Sequence, residues 1–280
     1  MKSYTLTNGL EIPAIGFGTW QIPDGQEAYD SVSYALEVGY THVDTAQIYG
    51  NEVSVGKAIA DSKLDRSAIF LTTKIWNDKA DYDSAAASID ESMKKLGVDY
   101  LDLLLIHWPN PAGIRDNIGY EARNAAVWSA MEDAYEAGKV KAIGVSNFMP
   151  HHLEALLETA EIKPMVNQIM LAPGCTQDEL VALCQEHDIL LEAYSPLGTG
   201  TIFGNPVVEA MAERYGKTVA QVALAWSLHK GFLPLPKSVT PANIKANLDI
   251  FDFELSDEDI KVLDVLEGLK TQTNPDHTNF

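Results

Sequence analysis

The chain has 280 residues, 46% of them apolar and 21% charged, the balance of a globular protein long enough to bury a full core. Forty Asp and Glu against twenty Lys and Arg give a net charge of −20, which excludes nucleic acid as the main partner and an anionic membrane surface as a docking site. Two cysteines, Cys175 and Cys184, exclude a disulfide framework, and no apolar run approaches the length of a membrane span, so a reduced, cytoplasmic protein is expected.

The first predicted element is a hairpin. Tyr4–Thr7 and Leu10–Pro13 flank Asn8-Gly9, which reads as a type I′ turn. Eight apolar runs follow: 15–18, 42–44, 69–74, 101–107, 142–147, 165–168, 189–194 and 232–237. They do not alternate with polar residues, as expected of parallel strands buried on both faces. Amphipathic segments lie between them. Val127, Met131, Ala134 and Tyr135 share one helix face, with Gly138 as the stop. Leu153, Leu156, Leu157 and Ala160 share another, started by Pro150. Thr240 with Pro241 and Ser256 with Asp259 each open a further helix. The segment 108–121 is a long connection. This succession predicts an α/β chain folded as one (β/α)8 TIM barrel domain over 1–280, with an N-terminal β-hairpin and an extra C-terminal helix.

The runs are apolar and then end on a polar residue: Asp44, Lys74, His107, Asn147, Gln168, Tyr194 and Lys237. In a barrel these ends meet at one pole, where active sites lie. Asp44 and Lys74 end neighbouring strands about 4.8 Å apart and can pair. Tyr49 leaves the same strand as Asp44, and His107 ends the next strand after Lys74. A cationic Lys74 is expected to lower the tyrosine pKa from its usual value near 10. Tyr49 could then donate a proton to a carbonyl oxygen while a neutral His107 orients that carbonyl. No Ser-His or Cys nucleophile is evident, so an external hydride donor is implied. Trp20, Trp76 and Trp108 each follow a strand end and are read as the wall of a hydrophobic substrate pocket.

Other motifs fail. Gly16-Phe17-Gly18 lacks the third glycine of a dinucleotide fingerprint, because Gln21 stands there. Gly216-Lys217-Thr218 lacks the first glycine of a phosphate loop, because Met211 stands there. His151-His152 and His187-Asp188 match no metal spacing, no metal is expected, and both pairs are expected at the surface. Arg115 and Arg123 are offset by Asp116 and Glu121, which gives no charge preference for a substrate.

The chain resembles the aldo-keto reductases, more narrowly the bacterial branch that includes the diketogluconate reductases. The matching stretches are GYTHVDTAQIYGNE (39–52), IFLTTKIW (69–76), DYLDLLLIHWP (99–109), GKVKAIGVSNF (138–148), AYSPLG (193–198) and LPKSVTPANIKANL (235–248). The resemblance implies NADPH-dependent reduction of a small-molecule carbonyl by a monomeric enzyme, with NADH as a weaker or dual cofactor. It implies a catalytic tetrad of Asp44, Tyr49, Lys74 and His107, with Tyr49 as general acid. It further implies that Ser146, Asn147 and Gln168 hold the nicotinamide carboxamide and that Tyr194 stacks on the ring. Ser195, Leu197 and Gly198 would follow the pyrophosphate, Lys237, Ser238 and Thr240 would face the 2′-phosphate, and Asn247 would touch the adenine. Asn243 stands where relatives often carry Arg. The short ending at 276–280 argues against substrate selection by a long C-terminal loop. Two other activities fit the strand-end residues: a cofactor-binding regulatory or sensor subunit, and a barrel aldolase using Lys74 as a Schiff base.

Overall fold

In a computed structural model, which describes residues 2–115 and 117–280, the eight apolar runs form eight parallel strands. A hairpin of β1 (Ser3–Thr5) and β2 (Glu11–Pro13) precedes them. The barrel strands are β3 (Phe17–Gly18), β4 (His42–Asp44), β5 (Phe70–Ile75), β6 (Leu103–Ile106), β7 (Ile143–Ser146), β8 (Val166–Met170), β9 (Leu190–Tyr194) and β10 (Leu233–Leu235). Their spatial order follows the chain from β3 to β10. Gly16 N–H donates to the Pro234 carbonyl at 3.1 Å and Gly18 N–H to that of Pro236 at 3.0 Å, which closes the first strand against the last. The strands need no alternation because helices cover their outer face and the barrel interior is filled.

The helices are α1 (Gln26–Val38), α2 (Glu52–Ala60), α3 (Tyr82–Leu96), α4 (Ala112–Arg115), α5 (Tyr120–Glu136), α6 (Pro150–Leu157), α7 (Asp178–Glu186), α8 (Pro206–Tyr215), α9 (Val219–His229), α10 (Pro241–Leu248) and α11 (Asp257–Asp264). The start signals act as expected. Pro150 and Pro241 occupy first turns, and the Ser256 hydroxyl accepts the Asp259 N–H at 3.2 Å. The segment 108–121 is not a plain loop: it holds α4 and the first residues of α5. Asp116 lies outside the described residues.

The hairpin turn differs from the Asn8-Gly9 type I′ expectation. Gly9 N–H donates to the Leu6 carbonyl at 2.8 Å and Leu6 N–H to that of Leu10 at 2.9 Å. Gly9 has φ of 84°, while Asn8 does not enter the left-handed region. The loop is therefore three residues, Thr7 to Gly9, with glycine at the left-handed position. Asn8 instead points outward from the turn and donates to the Lys141 carbonyl at 2.9 Å. This pins the hairpin beneath the barrel, where Leu6 and Ile12 pack with Phe70, Leu103, Ala142 and Met165 from the strand starts. The hairpin thus plugs the bottom pole and leaves the opposite pole open.

Candidate active site

The strand ends surround a cavity of about 620 Å3 at the open pole. Asp44, Tyr49, His107, Ser146, Asn147, Gln168, Tyr194, Ser195, Leu197 and Lys237 all line it, as do Trp20, Trp76 and Trp108. Gly198 lies between two lining residues, Leu197 and Thr199, in the loop after β9. Lys74 lies below the cavity floor and is wholly buried. Ser238, Thr240 and Asn247 are not part of the wall. Thr240 stands at the exposed start of α10 and its side chain makes no capping bond, while Asn247 is buried in that helix. Gln21, Asn147, Ser195 and Thr199 on the wall are held in the left-handed region, at φ of 62°, 61°, 47° and 52°. Backbone conformations of this cost persist where surrounding structure fixes them, commonly at functional sites.

The parallel register sets the floor. Gly18, Asp44 and Thr72 are cross-strand neighbours, and so are Ser146, Gln168 and Glu192. Lys74 Nζ donates to both Asp44 oxygens at 2.7 and 2.8 Å and to the Thr45 carbonyl at 2.8 Å. Tyr49 OH is 3.5 Å from the same nitrogen. The Tyr49 ring meets the His107 ring edge-on at 5.7 Å, and His107 meets Trp76 at 5.2 Å. The four residues are therefore brought together.

Their protonation departs from expectation in one respect. Burial and the charge of Asp44 raise the Tyr49 phenol well above its ordinary value, instead of Lys74 lowering it. The ammonium is already paired with Asp44, so little of its field reaches the phenol. His107 behaves as expected: burial and the nearby Lys74 push it well below its usual value, which keeps the imidazole neutral.

Beneath this layer lies a buried group that the strand-end pattern missed. Glu192 and His42 are fully buried inside the barrel, with 3.8 Å between His42 Nε2 and Glu192 Oε1. His42 Nε2 also lies 3.0 Å from Thr72 Oγ1. A Cβ on Gly16 would come within 2.6 Å of His42 Nδ1, so glycine there makes room for the imidazole. Gln168 Nε2 donates to Asp44 Oδ2 at 2.9 Å and to Glu192 Oε2 at 2.8 Å. The signal available in the sequence was a charged residue in the middle of the apolar run 189–194.

These two groups give stability a defined pH dependence. Burial and the neighbouring Asp44 raise Glu192 to about 8, against 4.5 ordinarily. The folded chain then holds an extra proton between those values, so this group makes stability fall as pH rises. Burial lowers His42 to about 3 against 6.5, so its contribution rises with pH and is complete by 6.5. Between pH 6.5 and 8 the Glu192 effect is no longer offset by His42, and stability is expected to decline. Glu192→Gln should flatten that decline. Chemical denaturation at pH 6.5 and 8 checks this, and equal slopes in parent and variant would contradict it.

The C-terminal segment is short and still enters the site. Phe280 packs on Trp76 with 5.9 Å between ring centroids and meets Trp108 edge-on at 5.1 Å. Gln272 Nε2 donates to Asn147 Oδ1 at 2.9 Å, and Gln272 Oε1 accepts the Met170 N–H at 2.9 Å. Arg115 on α4 grips the segment by donating to the Asp276 and Thr278 carbonyls. His152 is buried, not superficial as expected, and its Nε2 lies 2.9 Å from Asp276 Oδ1; His151 is exposed and bonds the other oxygen. His152 Nδ1 accepts the Met149 N–H, so the proton of a neutral ring sits on Nε2 and points at Asp276. That arrangement holds the segment and leaves no free Nε2 lone pair for a metal. Arg123 is also structural: wholly buried, it donates to the Trp108 carbonyl at 3.0 Å and to that of Trp76 at 3.4 Å, fixing both tryptophan-bearing loops.

The model of the Aldo/keto reductase family matches residues 14–267. The chain is 45% identical to the glyoxal reductase of Bacillus subtilis over 98% of its own length and 96% of that protein. It is 39% identical to the 9,11-endoperoxide prostaglandin H2 reductase of Trypanosoma cruzi, over 98% and 94% of the two chains. Among solved structures it resembles an aldo/keto reductase from Brucella melitensis, with TM-score 0.88, 45% identity and coverage of 94% and 97%. It also resembles a Bombyx mori aldo-keto reductase in complex with NADP, with TM-score 0.85, 36% identity and coverage of 94% and 92%. The chain belongs to the aldo/keto reductase family.

Proposed function

We propose that the chain reduces aldehydes or ketones to alcohols with NADPH, with Tyr49 as the general acid. The observation that carries this reading is the Tyr49 hydroxyl on the cavity wall, 3.5 Å from a buried Lys74 that is locked to Asp44. NADPH supplies the hydride when bound. The residues present fit it: Gln168 offers an unpartnered Oε1 on the cavity wall, Tyr194 offers a ring, and Lys237 offers a cation in a chain of net charge −20. Ser146, Asn147 and Gln168 would hold the carboxamide. Ser195, Leu197 and Gly198 would follow the pyrophosphate, and Lys237, Ser238 and Thr240 would take the 2′-phosphate.

The tyrosine keeps its proton at neutral pH because burial disfavours the phenolate. As the carbonyl oxygen becomes an alkoxide, it becomes a far stronger base than the phenolate, and the proton transfers to it. The phenolate left at Tyr49 then lies 3.5 Å from Lys74 Nζ, the donor already in contact with that oxygen. Neutral His107 has one N–H to give to the same carbonyl oxygen. Trp20, Trp76, Trp108 and Phe280 form an apolar wall suited to the non-reacting part of the substrate. The aldolase alternative is disfavoured, since Lys74 is held as an ammonium by three oxygens and has no free amine for a Schiff base. The proposal includes a monomeric enzyme of the cytoplasm, a reducing compartment in which the buried, unpaired Cys175 and Cys184 persist. A panel of carbonyl compounds assayed with NADPH and NADH tests the reading; no turnover of any aldehyde would leave the binding-subunit alternative.

Cofactor preference is expected to rest on Lys237 and to be moderate. Lys237 lines the cavity, while Asn243 is exposed in the first turn of α10, one turn beyond Thr240. An amide there cannot clamp a phosphate as a guanidinium does. Lys237→Ala should weaken NADPH by about 10- to 100-fold, the range for a charged hydrogen bond, and leave NADH little changed. Asn243→Arg should tighten NADPH alone. Fluorescence titration with both nucleotides checks this, and equal effects on both would remove Asn243 from the phosphate site.

A further inference from the structure

Gln168 and Glu192 are cross-strand partners on β8 and β9, and both side chains enter the barrel. The amide nitrogen of Gln168 has two hydrogens. One goes to Asp44 Oδ2 at 2.9 Å and the other to Glu192 Oε2 at 2.8 Å. The reverse orientation would set the amide oxygen against the Asp44 carboxylate, so Asp44 sets which way the amide faces and Glu192 Oε2, by accepting the second hydrogen, holds it there. Asp44 alone would hold one hydrogen and leave the other buried without an acceptor. With both acids in place, Gln168 Oε1 has no partner among the described residues and belongs to a residue on the cavity wall.

Glu192 is a costly residue for this position. It is fully buried, and among the described residues its Oε1 has no hydrogen-bond partner and its Oε2 accepts one hydrogen bond, from the Gln168 amide. An apolar side chain would serve the core better. Local conflicts of this kind are expected where function requires them. We propose that Glu192 is the positioning residue for Gln168: it fixes the amide so that Oε1 faces the cavity and accepts from the NH2 of a primary carboxamide on the nicotinamide ring. This rests on the carboxamide placement proposed above. Glu192 touches neither cofactor nor substrate and acts through Gln168.

The test compares NADP+ with its 3-acetylpyridine analogue, which replaces the carboxamide NH2 by a methyl group and keeps the carbonyl. A third ligand, 2′,5′-ADP, lacks the ring altogether. Dissociation constants are read from quenching of tryptophan fluorescence, which needs no turnover. The parent is expected to prefer NADP+ over the analogue by about 3- to 10-fold, the range for one neutral hydrogen bond. In Glu192→Met, and in the smaller Glu192→Leu should the first not fold, the preference should fall towards unity with 2′,5′-ADP affinity unchanged. Glu192→Gln keeps an acceptor oxygen and should restore the preference. A parental preference in the apolar variants overturns the role of Glu192 alone. Weakening of all three ligands by the same factor overturns it too, because it makes Glu192 purely structural. A parent that does not distinguish NADP+ from the analogue overturns the carboxamide placement itself, and the proposal with it.

Discussion

Tyr49→Phe should lose about 10²- to 10⁴-fold in carbonyl turnover while the fold keeps its stability, because general acid catalysis is worth that range. The hydroxyl has one partner among the described residues, Lys74 Nζ at the long distance of 3.5 Å. Its removal leaves Lys74 with both Asp44 oxygens and the Thr45 carbonyl, so no buried charge is exposed or orphaned. The ring, which packs on His107, is retained. Nucleotide affinity should also persist, since the loss is confined to one oxygen. Turnover of a simple aldehyde, thermal melting and NADPH titration on the same preparation read the three quantities. Near-parental turnover would remove Tyr49 from the chemistry.

Lys74→Met should be harmful in a different way, losing stability as well as activity. Lys74 is wholly buried, and Asp44 is almost so. Without the ammonium, Asp44 retains the Gln168 amide as its side-chain partner. Breaking a buried pair by removing one member costs about 3–5 kcal/mol, since a charge stays buried without its counter-ion. Adding Asp44→Asn to Lys74→Met should recover much of the stability and none of the activity. Denaturation of the parent, single and double variants measures this. A single variant as stable as the parent at neutral pH would show that the pair is not coupled as its geometry indicates.

Both expectations concern residues that can be found without a structure. Asp44, Lys74 and His107 each close an apolar run, and a barrel gathers strand ends at one pole. The run of parallel strands was equally legible, because a strand covered on both faces has no polar face to hide. The helix starts at Pro150, Pro241 and Ser256 were legible because proline and serine act there through their own covalent chemistry. The type of the hairpin turn was not, because Thr7, Asn8 and Gly9 form a three-residue loop whose length depends on the pairing of Leu6 with Leu10.

The remaining differences are those of long-range contact. Sequence by itself determined the barrel, its open pole and the residue types that converge there, because periodicity and strand-end chemistry are local properties. Tertiary structure decided which of those groups share a field. The pairing of Lys74 with Asp44 removes the cation that would otherwise have lowered the Tyr49 pKa. It also decided that Glu192 meets Gln168, since cross-strand register is set by the whole sheet. Likewise, Phe280 reaches Trp76 although 204 positions separate them, a closure that Arg115 and the buried His152 secure by holding the segment around Asp276. Such contacts depend on the path of the chain in three dimensions, and no spacing along the sequence encodes that path.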